Sequence, residues 1–484
     1  MEAKRLMFLG TASSVGKSTL AAAFCRYYKR KGYNVAPFKA LNISLNSFVT
    51  KEGDEIGRAQ VVQAEACEIE PKEYMNPILM KPSANNKTQV IVRGKVYCTM
   101  DAYKYKDLNK YLKGVAKEAF DDISKDYDFI VLEGSGSCAE INLRETDIAN
   151  MEMAKVSNSP VILVADIDRG GVFASIVGTI MLLPPEERAL IKGVIINKFR
   201  GKKEFFKPAM KQIEELINIP VLGVMPYFEL NIEDEDGVTE KISNKRGKGI
   251  DVVVIRLPHM SNFTDFNVLR AMNGINIRYI NSPKEIENAK MIIIPGSKNT
   301  IEDLNFIKET GFHEIILEKA KSGTIIFGIC GGYQILGKEI KDPLGVEGNP
   351  REVKGLGLLD LATTFNGKKK TRQVKAKNSE GLVVRGYEIH NGVSECLDDK
   401  SIWIEGEVGD VLGMKSGNVY GTYLHGIFEE EDFAYTFINK YVSQLECHEK
   451  VSYKEYKMNE YDKLCDILEE NIDMDLVNSI INGD

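Results

Sequence analysis

The sequence predicts two α/β domains in one chain, the first built on a largely parallel sheet. Three observations predict it. At 484 residues the chain is longer than one hydrophobic core usually covers. Short apolar runs alternate with helical patterns through the first half, the arrangement of a parallel sheet covered by helices on both faces. After a charged, glycine-containing stretch poor in apolar residues, at 233–249, the same alternation starts again. The boundaries read as a first domain over 1–232, a linker over 233–249, a second domain over 250–445 and a charged helical extension over 446–484.

Taken in order, the strands of the first domain are predicted at 5–9, 34–38, 128–132, 161–165, 193–197 and 221–224. Most end at Gly, Pro or a polar residue, where a ligand-facing loop begins. Residues 39–126 fit the alternation poorly and read as insertions and helices around an active site. The second domain has apolar strands at 252–255, 291–294 and 324–329. Composition bounds the function. Hydrophobic residues are 43% and charged residues 27% of the chain, an ordinary globular balance that excludes global disorder. The formal charge of -7, with Lys and Arg scattered, leaves no electrostatic footprint for nucleic acid. No run approaches the roughly 20 apolar residues that span a bilayer, and Leu6-Met7-Phe8-Leu9 is too short for a signal segment. The eight cysteines form no C-x-x-C pair, which argues against a zinc module or a disulfide framework. The expectation is a soluble cytoplasmic protein with neither nucleic acid nor membrane as partner.

The string Gly10-Thr11-Ala12-Ser13-Ser14-Val15-Gly16-Lys17-Ser18-Thr19 follows the first strand and opens an apolar helix. Small residues there let backbone N–H groups approach phosphates, Lys17 offsets their charge, and the Ser18 hydroxyl reaches Mg²⁺. Thr11, Gly16, Lys17, Ser18 and Thr19 are the candidate ATP-binding residues. Thr11 stands where a phosphate loop normally has its first glycine, and Gly10 comes one place early. This variant resembles the dethiobiotin synthetase group of P-loop proteins. A carboxylate should share the metal with Ser18. Glu133, at the end of the strand at 128–132 and before Gly134-Ser135-Gly136-Ser137, is the first candidate, and Glu55 the second.

In the second domain an apolar strand runs into Cys330-Gly331-Gly332 and then a helical pattern. Glycines beside a cysteine at a strand–helix junction permit a nucleophile elbow, and the helix N-terminus favours the thiolate. Cys330 is therefore the candidate nucleophile. Of the five histidines, His425 ends the strand-like run Tyr420-Gly421-Thr422-Tyr423-Leu424 and is the candidate base. Gly296, in Pro295-Gly296-Ser297, and Gly331 are candidates for an oxyanion hole.

This domain resembles a class I glutamine amidotransferase, which implies a glutamyl thioester on the cysteine and release of ammonia. Where Pro-Glu commonly follows the histidine of that class, this chain has Gly426-Ile427. The departure resembles the cobyric and cobyrinic acid amidotransferases, which implies a Cys-His pair and leaves the orientation of His425 to backbone or another side chain. The order of parts over nearly the whole chain resembles the cobyric acid synthase family. Ala40-Leu41-Asn42, Glu55-Ile56-Gly57-Arg58-Ala59-Gln60, Met75-Asn76-Pro77-Ile78-Leu79-Met80-Lys81-Pro82, Ala139-Glu140-Ile141-Asn142-Leu143, Asp166-Ile167-Asp168-Arg169-Gly170-Gly171-Val172-Phe173 and Ser261-Asn262-Phe263-Thr264-Asp265-Phe266 carry that resemblance. It implies a ligase that amidates the b, d, e and g carboxylates of adenosylcobyrinic acid a,c-diamide, with ATP, Mg²⁺, glutamine and a corrinoid as its ligands. Cobyrinic acid a,c-diamide synthase and, from another class, a P-loop regulatory or partition ATPase are the alternatives.

Overall fold

The computed structural model describes residues 3–82, 87–101, 104–228, 249–442 and 452–483. The stretch read as a linker lies outside the described residues except for Gly249.

The first domain is organised by a six-stranded parallel sheet. Its order is Val221–Pro226, Ile191–Phe199, Val161–Asp166, Lys4–Gly10, Phe129–Glu133 and Val35–Phe38. These are the six predicted strands. They are apolar because helices cover both faces: every residue of Phe129–Glu133 is buried, Glu133 included. The helix Lys17–Arg30 packs Leu20, Phe24 and Tyr28 onto one face, at about 1.5–3 kcal/mol for each fully buried large side chain.

Residues 39–126 differ from the sequence reading. Alongside the helices Arg58–Ala66 and Tyr105–Asp126 lies a second sheet, ordered Leu41–Ile43, Ile78–Pro82, Lys87–Val92 and Lys95–Asp101. The last two strands form a hairpin turned by Arg93 and Gly94, with φ of 46° and 78°. Two consecutive positive φ values match the twist of the strands they join. A short antiparallel ribbon, Ser47–Val49 with Glu55–Gly57, stands beside it.

The second domain has a sheet of eleven described strands. Ile275–Ile280, Ile250–Ile255, Met291–Ile294, Ile325–Ile329 and Val419–Thr422 run parallel, and antiparallel strands continue the sheet. Among these, Leu361–Asn378 and Val383–Cys396 make a long hairpin. That hairpin reaches the first domain: Thr371 Oγ1 donates to Gly53 O at 3.1 Å, and Gln373 donates to Val49 O. The final helices, Tyr453–Asn471 and Met474–Asn482, return to the first domain, where Arg26 Nε binds Asp462 Oδ1 at 2.7 Å and Leu464 and Leu468 join the core under the first helix.

Candidate active sites

The strand Lys4–Gly10 delivers the chain into the phosphate loop, and its helix starts after Gly16, whose φ is 98°. A Cβ on Gly16 would stand 2.1 Å from Asn197 Nδ2, and one on Gly10 would meet Lys17 Nζ at 2.9 Å. The early glycine at position 10 thus makes room for the lysine. Lys17 Nζ curls over the loop, donating to Gly136 O at 2.8 Å and Ala12 O at 3.2 Å. Neighbouring strand ends pin the loop. Asn197 Nδ2 donates to Val15 O at 2.8 Å, Lys198 Nζ donates to Ser14 O at 2.6 Å, and Thr11 N donates to Val164 O at 3.0 Å. Thr19 lies in the first helical turn.

Glu133 and Ser18 are brought together. Ser18 Oγ donates to Glu133 Oε1 at 2.7 Å, Lys39 Nζ binds the same oxygen at 2.9 Å, and Gln63 Nε2 donates to Oε2 at 2.7 Å. Burial alone would raise this carboxyl's pKa, but the Lys39 charge and the three hydrogen bonds hold it below the usual range. A hydroxyl and an ionised carboxylate side by side are hard oxygen donors that fit Mg²⁺, which takes one or two carboxylates and completes its shell with phosphate oxygens and water.

Glu55 is elsewhere, a correction to the sequence reading. Its carboxylate is buried, with Oε1 at 2.9 Å from Lys81 Nζ and Oε2 bound by Lys369 of the second domain. It neutralises lysines at the domain junction, and neither Ser18 nor Glu133 is among its partners.

In the second domain the buried strand Ile325–Ile329 ends at Cys330, whose φ and ψ are 51° and -105°, and the helix Gly331–Leu336 follows. A non-glycine residue there is strained, as at a nucleophile elbow. A Cβ on Gly331 would meet Ser297 N at 2.8 Å, one on Gly332 would meet Ile294 O at 2.0 Å, and one on Gly296 would be 3.0 Å from His425 Cε1. Cys330, Gly331, Gly296 and His425 therefore converge. The strand Val419–Thr422, parallel to the strand that ends at the cysteine, carries His425 to this point.

Sequence reasoning missed the group that orients this histidine. Asp265 Oδ2 is 2.7 Å from His425 Nδ1, and Asp265 Oδ1 accepts from Gly426 N at 3.0 Å. The orientation of His425, which the sequence left to backbone or another side chain, falls to a buried Asp from the far side of the domain's sequence. Burial opposes the imidazolium, but Asp265 and then Cys330, which also hydrogen-bonds His425, raise its pKa to about 10. His390 stacks on Tyr423 and binds Glu388, and His259 binds Asp303. His448 lies outside the described residues.

Residues 6–238 match the CobQ/CobB/MinD/ParA nucleotide binding domain, and residues 251–433 match the CobB/CobQ-like glutamine amidotransferase domain. A cobyric acid synthase of Clostridium perfringens is 68% identical over 487 residues, covering 100% of both chains. One from Clostridium botulinum strain Alaska E43 is 56% identical, covering 99% of this chain and 100% of its own. The chain belongs to the cobyric acid synthase family. It is a glutamine-dependent ligase with a nucleotide-binding domain. Among the described residues, no helix is long and apolar enough to cross a membrane.

The junction between the two domains of this cobyric acid synthase family member is dense. Ser47 N donates to Asn262 Oδ1 at 3.1 Å, and Tyr387, stacked on the His425 ring at 5.4 Å, donates through its hydroxyl to Ser47 O at 3.1 Å. Gln89 Oε1 accepts from Lys298 at 3.2 Å and Lys369 at 3.1 Å. A cavity of about 40 Å³ at Cys330 has Lys81 of the first domain in its wall. That is room for very few water molecules.

Proposed function

We propose that this chain uses ATP and glutamine to amidate the b, d, e and g carboxylates of adenosylcobyrinic acid a,c-diamide, giving adenosylcobyric acid. The observation that carries the substrate reading is a cavity of about 820 Å³ beside the phosphate loop. Leu41, Ile43, Met80 and Val90 of the four-stranded sheet form an apolar wall, and Ser135, Gly136 and Ser137 form the edge nearest Lys17. A large, mainly apolar ring with carboxylates at its rim suits such a space, rim toward the phosphates. The similar proteins named cobyric acid synthase support the same substrate.

A carboxylate is a poor acyl donor. Its oxygen attacks the γ-phosphorus of ATP, the bond to the β-phosphate oxygen breaks, and an acyl phosphate and ADP result. Lys17 holds the phosphate charge, and Ser18 and Glu133 would hold Mg²⁺. When bound, the ion neutralises charge on the phosphate oxygens.

At the other site the Cys330 thiolate attacks the γ-carboxamide carbon of glutamine, with backbone N–H groups of Gly296 and Gly331 facing the developing oxyanion. His425 gives its proton to the departing nitrogen, releasing ammonia and leaving a glutamyl thioester. It then takes a proton from the water that hydrolyses the thioester to glutamate. Asp265 keeps the imidazole in the working tautomer and stabilises its charged form. Ammonia attacks the acyl phosphate and phosphate leaves.

The test is incubation with ATP, Mg²⁺, glutamine and adenosylcobyrinic acid a,c-diamide, followed by product mass. Replacement of OH by NH₂ at each of the named carboxylates is expected. Unchanged corrinoid, with glutamine hydrolysed, would reject the substrate assignment.

A further inference from the structure

The cavity at Cys330 is lined by four charged side chains that the reaction above does not use; Lys81 and Lys369 are paired with Glu55, which leaves Lys298 and Glu347. Lys298 sits next to the Pro295-Gly296-Ser297 loop and donates through Nζ to Gln89 Oε1, a neutral acceptor. No carboxylate lies within 4.0 Å of it among the described residues. Its charged neighbours are the lysines Lys369 and Lys81, which already share Glu55, and, beyond ion-pair distance, the carboxylates of Glu55 and Glu347.

Glu347 occupies a loop fixed by Asp342, whose carboxylate accepts from Val346 N at 2.7 Å and Glu347 N at 2.8 Å. Glu347 Oε2 accepts from Ile301 N at 3.0 Å. It too has no ion-pair partner within 4.0 Å among the described residues, and it is not paired with Lys298. A cation and an anion, each beyond ion-pair distance of any counter-charge among the described residues and sensing the other only across the space between them, thus face one cavity with the thiol. Buried charges of this kind are costly unless something completes them.

We propose that Lys298 and Glu347 clamp the α-groups of glutamine, Lys298 taking the α-carboxylate and Glu347 the α-ammonium, while the γ-carboxamide reaches Cys330. This rests on the glutaminase reading of Cys330. A free amino acid carries both missing counter-charges on one carbon, whereas a glutamine within a peptide carries neither. The clamp therefore selects free glutamine. The ionisation of the two groups agrees with the geometry. Burial, then Lys369 and Lys81, bring Lys298 down to about 7, and burial brings Glu347 up to about 7.

The test is glutamate or acid release, with ATP and corrinoid present, from glutamine and two truncated amides. One, 4-carbamoylbutanoate, lacks the α-ammonium, and the other, 4-aminobutanamide, lacks the α-carboxylate. The unmodified protein should favour glutamine over each. Lys298→Met should raise KM for glutamine roughly 10- to 100-fold, as expected for loss of a charge-assisted contact, and erase its advantage over 4-aminobutanamide only. Glu347→Gln should erase its advantage over 4-carbamoylbutanoate only. Alkylation of Cys330 by iodoacetamide, which has no α-groups, should persist in both variants and reports an intact elbow. Equal use of all three amides by the unmodified protein, or equal losses on all three in the variants, would overturn the clamp. Absence of any glutamate release by the unmodified protein would instead overturn the glutaminase reading, and the clamp with it.

Discussion

Replacing Asp265 by Asn removes one charge and almost no volume, which isolates the electrostatic part of its role. The amide oxygen can still accept from Gly426 N, a 3.0 Å contact, but the 2.7 Å partner of His425 Nδ1 is no longer an anion. Both residues are buried. Loss of one member of a buried charge pair costs about 3–5 kcal/mol, and at 1.36 kcal/mol per decade that is roughly a hundredfold to a few thousandfold in rate if felt in the transition state. Glutamine-dependent kcat/KM should fall by that factor, and synthesis from ammonium chloride should not. The pH profile should move as well. The pKa of His425 is raised from its ordinary value of 6.5 to about 10. The charged imidazolium therefore contributes stability that is fully present below the unfolded value and is lost as pH rises through about 10. In Asp265→Asn the alkaline limb of glutaminase activity should shift to lower pH. A loss under about threefold, far below the range expected for a broken buried pair, with the alkaline limb unmoved, would refute the reasoning.

Cys330→Ser should abolish glutamine-supported synthesis and leave ammonia-supported synthesis, because a hydroxyl lacks the acidity of a thiol. Glutamate release by that variant would remove the cysteine from its role. Lys17→Ala should stop synthesis with either nitrogen source, since the phosphates lose a cation seated over the loop; normal ammonia-dependent turnover would exclude it. Glutamate release should be slow without ATP and corrinoid and rise when both are present. The basis is the cavity of about 40 Å³ at Cys330, with Lys81 of the nucleotide-binding domain in its wall, which has to widen before glutamine enters. Equal rates in the two conditions would contradict it.

Contiguous signals made much of this molecule readable. The string from Gly10 to Thr19 and the one around Cys330 each combine a strand, a turn and a helix, so their geometry is local, and strands buried on both faces are visible as apolar runs. The sheet between residues 41 and 101 was not legible because its outer strand Lys95–Asp101 is largely exposed and carries no such run. The Arg93-Gly94 turn and the apolar runs Ile78-Leu79-Met80 and Val90-Ile91-Val92 were its available marks. Asp265 was illegible because it lies 160 residues before His425, and no contiguous pattern joins the two. A signal existed in Ser261-Asn262-Phe263-Thr264-Asp265-Phe266, which the family resemblance had already singled out. Glu55 misled for a different reason: a charged residue in a polar segment reads as exposed, whereas this one is buried against Lys81 of its own domain and Lys369 of the long hairpin. The lysines at the glutaminase cavity are illegible on the same ground, since their burial comes from two domains meeting.

In the proposed reaction, nitrogen freed at Cys330 reaches a carboxylate activated near Lys17 and Glu133 within one molecule. The most direct measurement supplies glutamine labelled with nitrogen-15 in its side-chain amide, together with excess unlabelled ammonium, ATP, Mg²⁺ and the corrinoid, and reads the label in the product. Product amides carrying mainly the glutamine label are expected, with that label lost in Cys330→Ser while unlabelled product still forms. Product amides carrying the bulk ammonium isotope in the unmodified protein, with glutamine hydrolysed alongside, would contradict it.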